Sequence, residues 1–514
     1  MFSKVKSCAV HGVDGRMIDV EADVNDGLPV FTMVGYLSSS VRESSERVRT
    51  ALKNSGFHLP PKRITINLSP ADMRKDGSGY DLAIATAVLL SLGVTAELPM
   101  EQTLVLGELS LDGSIKAIPG VLPMVICARE EGMTSCIVPK ENVQEAALVQ
   151  GISVIGVSSL KETMEYIQGI KEYENTNVEQ PAVDTSEYLY DIDFSDVVGQ
   201  ESIKRGMEIA AAGFHNVLLT GAAGAGKSML AKRLPTILPQ MSFEESLEVT
   251  KIYSVGGMLP PEGGLIHRRP FRAPHHTISE YALIGGGRVP TPGEVSFAHY
   301  GVLFLDELPE FSKPVLEVLR QPLEDRRIRI SRVQASYEFP ADFMFVAAMN
   351  PCPCGNYPDY RRCSCTEQQI RRYQSKVSGP LLDRIDIRME VKGVKQEVLF
   401  SKQKTESSKT IRARVEQARQ MQKERFAGTG LLFNSQLDGK NLEEYITLSE
   451  EGKRLVLQLF EEQELSVRGV HRVLKLARTI ADLAGSEEIE HAHLQEAAFY
   501  RNQDVFAKGV LYEN

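Results

Sequence analysis

Eight consecutive residues, Gly221-Ala222-Ala223-Gly224-Ala225-Gly226-Lys227-Ser228, have the spacing GxxxxGKS. Glycines so spaced let backbone N–H groups close around phosphate oxygens, and a helix starting there adds the positive end of its dipole. Lys227 is suited to neutralise β- and γ-phosphates, Ser228 to hold Mg2+, and Met229 follows directly to complete the contact set. Further on, Gly301-Val302-Leu303-Phe304-Leu305-Asp306-Glu307 is an apolar run ending in two carboxylates. A buried strand can present carboxylates only at its end, beside the phosphates. There Asp306 completes the Mg2+ sphere through water and Glu307 acts as general base. The chemistry these residues predict is hydrolysis of a nucleoside triphosphate.

The elements that must position them read directly from the sequence. Val217-Leu218-Leu219-Thr220 is a buried strand, and Met229-Leu230-Ala231-Lys232-Arg233-Leu234 begins a helix. Asp196-Val197-Val198-Gly199-Gln200-Glu201 precedes a stretch of helical spacing from Ile203 to Ala212. Phe345-Val346-Ala347-Ala348-Met349 is another apolar strand, and it ends on Asn350. Gly379-Pro380-Leu381-Leu382-Asp383-Arg384-Ile385-Asp386 and Ser466-Val467-Arg468-Gly469 come after it.

In that order these segments resemble the AAA+ ATPases. The resemblance implies that the 196–201 segment helps enclose the base and that Asn350 orients the attacking water. It also implies that Arg384 is a finger given to a neighbouring subunit's γ-phosphate and that Arg468 is the sensor arginine of a helical lid. Pro270-Phe271-Arg272-Ala273-Pro274-His275-His276-Thr277 and Pro292-Gly293-Glu294-Val295-Ser296-Phe297-Ala298-His299-Tyr300-Gly301 resemble the magnesium-chelatase I subunit group. The pair His275 and His276 suits a loop lining a pore or an interface better than a metal site, since neighbours on a strand face opposite ways.

Two earlier stretches resemble the proteolytic domain of Lon-type proteases: Lys75-Asp76-Gly77-Ser78-Gly79-Tyr80-Asp81-Leu82-Ala83, and Gly113-Ser114-Ile115-Lys116 with Ile137-Val138-Pro139-Lys140-Glu141-Asn142 downstream. Lys116 falls where the activating lysine would lie, but Gly79 holds the nucleophile's place and Ser78 is one residue early. A non-proteolytic scaffold is therefore expected. The whole chain looks like the bacterial ComM/YifB family, and the resemblance implies a ring-forming helicase that drives DNA branch migration in natural transformation.

Cys352-Pro353-Cys354 and Cys363-Ser364-Cys365 form a C-x-C-x8-C-x-C arrangement. Four thiolates on two knuckles can close a tetrahedral structural Zn2+ site, which is favoured here over free buried cysteines. Arg361, Arg362, Arg371 and Arg372 flank it. A hairpin over 326–339 carries Arg326, Arg327, Arg329 and Arg332, which suit either a phosphate backbone or a solvated edge that discourages aggregation. Glycine- and proline-rich turns over 241–288 suggest inserted loops that, in this AAA+ clade, project into a pore. Helical spacing runs over 409–426, 450–462, 467–484 and 491–500.

The fold class expected is α/β multidomain: a Lon-like α+β domain over 1–170, a linker over 171–190, an AAA+ α/β core over 191–400, and a helical lid over 401–514. With 514 residues the chain has ample sequence for several cores, and a net charge of −10 argues against a uniformly basic nucleic-acid coat while leaving room for a local basic channel. Seven cysteines without an export signal point to a reducing cytoplasm, and no apolar run is long enough to span a bilayer. The partners expected are copies of the same chain in a hexamer ring, branched or single-stranded DNA, and recombination proteins, with no membrane. The rival readings are a metal-chelatase or protein-remodelling motor, and an ATP-dependent protease that Gly79 disfavours.

Overall fold

The computed structural model describes residues 1–171, 190–260, 264–332, 335–393, 405–462 and 465–501. Apart from its two end residues, the expected linker lies outside these, as do Val333 and Gln334 of the hairpin loop.

The first 170 residues build a seven-stranded mixed sheet. Its strands are β1 (Phe2–His11), β2 (Asp14–Asn25), β3 (Phe31–Val34), β4 (Arg63–Ser69), β5 (Thr103–Val105), β6 (Ser135–Pro139) and β7 (Ser153–Val157), in the order β3-β4-β2-β1-β5-β6-β7. The expected strands at 5–10, 30–34, 64–68, 135–139 and 152–155 correspond to β1, β3, β4, β6 and β7. Strand β2, with twelve residues the longest, has no counterpart in the sequence reading. Helix Asp81–Ser91 is apolar on every side and buries every residue but Leu90, so it can only be a core helix beneath the sheet.

The second sheet is wholly parallel. Its strands are β8 (Val217–Thr220), β9 (Phe271–Arg272), β10 (Val302–Leu305), β11 (Met344–Met349) and β12 (Ile387–Glu390), ordered β9-β10-β11-β8-β12. Residues of β8, β10 and β11 are buried throughout, which is why these strands read as unbroken apolar runs rather than alternations. Register pairs Thr220 with Met349 and Leu305 with Ala347, so β8, β10 and β11 end at one edge. Ligands of open parallel sheets bind in the crevice at that carboxyl edge.

Helix Glu201–Gly213 packs on β12 and against the helices Ser408–Arg425 and Val467–Leu483, while His491–Arg501 touches β12 directly and packs against Val467–Leu483 and Glu450–Glu462. The Phe214 and Phe433 rings stack 4.3 Å apart inside their shared core. The stretch expected as inserted loops instead opens on a regular helix, Phe243–Val255. Ser242 and Glu245 close a reciprocal cap at its start, with bonds of 2.9 and 3.2 Å. No helix of the described residues is long and apolar enough to cross a membrane.

Candidate nucleotide site

The segment after β8 turns through Gly224 (φ +77°) and Gly226 (φ +96°), left-handed conformations open to glycine at little cost, and enters helix Lys227–Arg233. Lys227 is 8% exposed. Its Nζ donates to the carbonyls of Gly221 (2.7 Å) and Ala222 (2.9 Å) and to Asn350 Oδ1 (3.0 Å). Burial pulls its pKa below the ordinary lysine value, against the opposing pull of Asp306 and Glu307.

Ser228 Oγ donates to the Asp306 carboxylate at the end of β10. Glu307 stands next, with φ +52°, a conformation that costs a non-glycine residue about 1 kcal/mol or more. Its N–H donates to Asp306 Oδ1 (2.9 Å) and its carboxylate is 59% exposed. A cavity of about 320 Å³ is lined by Ala223 to Met229, Asp306, Glu307, Met349 and Asn350. Six of the eight phosphate-loop positions, Met229, both strand-end acids and the amide thus face one space, while Gly221 and Ala222 do not line it. Gln200 reaches this loop as well, donating to Ala225 O and Lys392 O at 3.2 Å each.

Arg384 and Arg468 do not line that cavity. Arg384 is 7% exposed, donates to Arg320 O (3.1 Å) and Pro380 O (2.7 Å), and pairs with Glu324. Arg468, mostly exposed, reaches the same Glu324 at 3.6 Å and opens on a second cavity of about 290 Å³. Glu324 is the residue that sequence reasoning missed. Its only signal is an acid beside Asp325 in a short helix, and nothing in that spacing says it will hold two arginines 60 and 144 positions downstream.

His276 was also missed as a neighbour of the site. The His275 and His276 rings lie 4.0 Å apart in a turn rather than on opposite faces, and His276 Nδ1 stands 3.9 Å from the Glu307 carboxylate. The hairpin arginines all have partners within the chain. Arg327 and Arg329 share Glu338 (2.9 and 3.1 Å), Arg326 faces Asp342 (3.7 Å), and Arg332 donates to Gly287 O (3.1 Å). Cys352, Cys354, Cys363 and Cys365 bring their sulfurs within 4.8 Å of one another. In the first sheet unit Ser78 Oγ donates to Glu108, the register partner of Lys116, while Gly79 packs against Ile118.

Three family models match the chain: magnesium chelatase, subunit ChlI, over 193–399; subunit ChlI of Mg-chelatase over 20–142; and the magnesium chelatase subunit ChlI C-terminal region over 405–501. YifB of Escherichia coli is 41% identical over 506 residues, covering 98% of this chain and 97% of its own. Competence protein ComM of Haemophilus influenzae is 40% identical over 503 residues, or 97% of each chain. The chain belongs to the YifB/ComM family of magnesium-chelatase-like proteins. Lon protease 2 of Bacillus subtilis is 30% identical over 183 residues, 32% of either chain. Membership in this AAA+ group implies an ATPase that uses ATP and Mg2+; the Lys227 ammonium at the start of its helix suits phosphate, and the Ser228 and Asp306 oxygens suit Mg2+.

Proposed function

We propose that this YifB/ComM-family chain is the subunit of a hexamer ring that hydrolyses ATP to move branched or single-stranded DNA. The observation that carries the ATPase part is the Ser228–Asp306 contact, with Lys227, Asn350 and Glu307 on the same sheet edge. A hydroxyl beside a carboxylate is a hard-oxygen donor set of the kind Mg2+ takes. When bound, Mg2+ supplies positive charge to the β- and γ-phosphate oxygens.

The chain's own residues do the rest. Lys227 exchanges the Gly221 and Ala222 carbonyls for phosphate oxygens. Asn350 orients a water that Glu307 deprotonates as it attacks the γ-phosphorus, while the bond from that phosphorus to the β,γ-bridging oxygen breaks and ADP leaves. Arg384 and Arg468 sit together and away from their own phosphate loop, an arrangement that favours delivery to a neighbouring subunit's nucleotide. In this reading residues 1–170 form a non-proteolytic scaffold, 191–400 the motor core and 401–514 its lid. The cysteine cluster takes a structural Zn2+, and the protein works in the cytoplasm beside recombination proteins. The competence name of one relative supports DNA as the substrate.

The test is ATP turnover by the purified protein with and without a four-way DNA junction, with strand products scored on a gel. Junction-stimulated turnover with ATP-dependent strand exchange is expected. Glu307→Gln should lower turnover by about 10²- to 10⁴-fold while leaving nucleotide binding in place. Arg384→Ala should lower it by about 10³-fold or more. Turnover indifferent to every DNA, with no strand products, would return attention to a chelatase or protein-remodelling role.

A further inference from the structure

Asn350 leaves the sheet and, after the single residue Pro351, the chain folds into the four-cysteine knuckle. Cys352 Sγ lies 3.4 Å from Cys354 Sγ and 3.8 Å from Cys363 Sγ, and Cys354 Sγ lies 3.6 Å from Cys363 Sγ. These separations are far beyond the ~2.05 Å of a disulfide bond. Four thiolates at ~2.3 Å from one ion stand ~3.8 Å apart along the edges of their tetrahedron. The sulfurs are therefore spaced as ligands of one shared cation.

The surrounding backbone serves the same end. The Tyr357 N–H donates to Cys352 Sγ (3.4 Å), the Gly355 N–H to Cys352 O (3.0 Å), and the Asn356 amide to Cys354 O (3.2 Å). Outer hydrogen bonds of this kind orient thiolate ligands. An all-sulfur donor set selects a soft ion over Mg2+ or Ca2+, and four protein ligands make a closed, structural site.

The other face of the knuckle rests on the nucleotide site. A Cβ built on Gly355 would lie 3.4 Å from Ala223 N and 3.9 Å from Asn350 Cγ, so this turn covers the phosphate loop and the amide together. Gln374 donates to Pro351 O (3.0 Å) and braces the joint between Asn350 and Cys352. Whatever fixes Cys352 fixes Asn350.

We infer that Cys352, Cys354, Cys363 and Cys365 hold one Zn2+ ion per chain, and that its occupancy positions Asn350 and the Ala222–Ala223–Gly224 turn so that nucleotide binding depends on the metal. The metal site stands on the sulfur geometry alone, while the coupling rests on the nucleotide reading proposed above.

The experiment uses full-length protein. Zinc is counted after displacement by a thiol reagent, Co2+ is exchanged in to record its thiolate spectrum, and MANT-ATP is titrated into native, stripped and zinc-reloaded samples with far-UV circular dichroism in parallel. One zinc per chain is expected, with a tetrahedral thiolate cobalt spectrum. MANT-ATP binding should weaken about three- to tenfold on stripping, as for one lost positioning contact, and recover on reloading. Gln374→Ala keeps all four cysteines and the left-handed Gly355 turn (φ +79°) and removes the brace on Pro351 O. It should retain its zinc and still bind MANT-ATP more weakly, which guards against stripped protein that merely unfolds.

A folded protein without bound metal overturns the site. Full zinc in the native protein with MANT-ATP affinity unchanged in folded, stripped protein overturns the coupling. Zinc present with no MANT-ATP binding in any sample overturns the nucleotide reading instead and leaves the metal site standing.

Discussion

Asp386 lies two residues beyond Arg384, where the parallel sheet meets the C-terminal helices, and is almost wholly buried. It accepts from the Asn216 N–H (3.0 Å), pairs with Arg472 of helix Val467–Leu483, and faces His215 Nδ1 at 3.6 Å. Burial alone would raise its carboxyl, but Arg472, then His215 and Lys475, outweigh that and hold it well below the carboxylate range. A carboxyl lowered in the folded state stabilises it above the unfolded pKa and loses that contribution as pH falls through the folded one. Lys475 is pushed down to about 8 by burial, against the pull of Asp386. Asp386→Asn therefore strands two cations in the interior. The expected cost is about 3–5 kcal/mol, the usual penalty for an uncompensated buried charge, seen as a lower urea midpoint. An unchanged midpoint would mean that the ion pairs contribute nothing net.

At the scale of elements, the turn between β1 and β2 docks the first sheet unit on the unit built around the parallel sheet. The His11 ring stacks on Tyr337 of the arginine hairpin at 4.5 Å, and Val13 joins Ile252, Phe297 and Phe339 in a small buried cluster. Asp14 pairs with Lys251 at 2.9 Å. Beside this, Glu145 accepts from Ser254 across the junction and from the Leu122 N–H (2.9 Å). Burial raises the Glu145 carboxyl above 4.5, with the hydrogen bond from Ser254 opposing. A raised folded pKa contributes stability that is full below about 4.5 and fades as pH rises through the folded value. Protection factors in helices Val121–Glu130 and Phe243–Val255, corrected for the intrinsic exchange rate at each pH, should therefore rise on moving from neutral toward pH 5, and Glu145→Gln should flatten that change; equal protection factors at both pH values in the native chain would dismiss the idea.

The hairpin carries a second prediction. Because Glu338 neutralises Arg327 and Arg329, Glu338→Gln should tighten DNA binding and steepen its salt dependence by about 1–2 in log–log slope, read by fluorescence anisotropy. An unchanged slope would favour the solvated-edge reading. The hairpin itself was legible in the sequence, as were the C-terminal helices from their spacing. Its neutralisation was not, because pairing Arg329 with Glu338 requires the strand register. Strand β2 escaped for a different reason. It sets Asp19, Glu21 and Asp23, residues poor in strands, between the buried Ile18, Val20, Ala22 and Val24, so composition hid a period of two. The junction with the core joins residues more than a hundred positions apart, and no local pattern reports such a contact.

For the whole molecule, the position of Arg384 and Arg468 sets the question of who completes the site. Both sit on Glu324, outside the cavity of their own Lys227 and Glu307. If each nucleotide lies between subunits, a site takes Glu307 from one chain and Arg384 from the next. Neither Glu307→Gln nor Arg384→Ala rings can then turn over ATP. A ring assembled from equal amounts of both contains junctions where an Arg384→Ala chain supplies native Glu307 and a Glu307→Gln chain supplies native Arg384. Random assembly around a closed ring gives about one such junction in four. Mixing the two inactive proteins before nucleotide is added should thus restore roughly a quarter of native turnover. Were Arg384 to act on its own chain's nucleotide, every site in the mixture would lack one of the two groups and turnover would stay at the level of the separate variants.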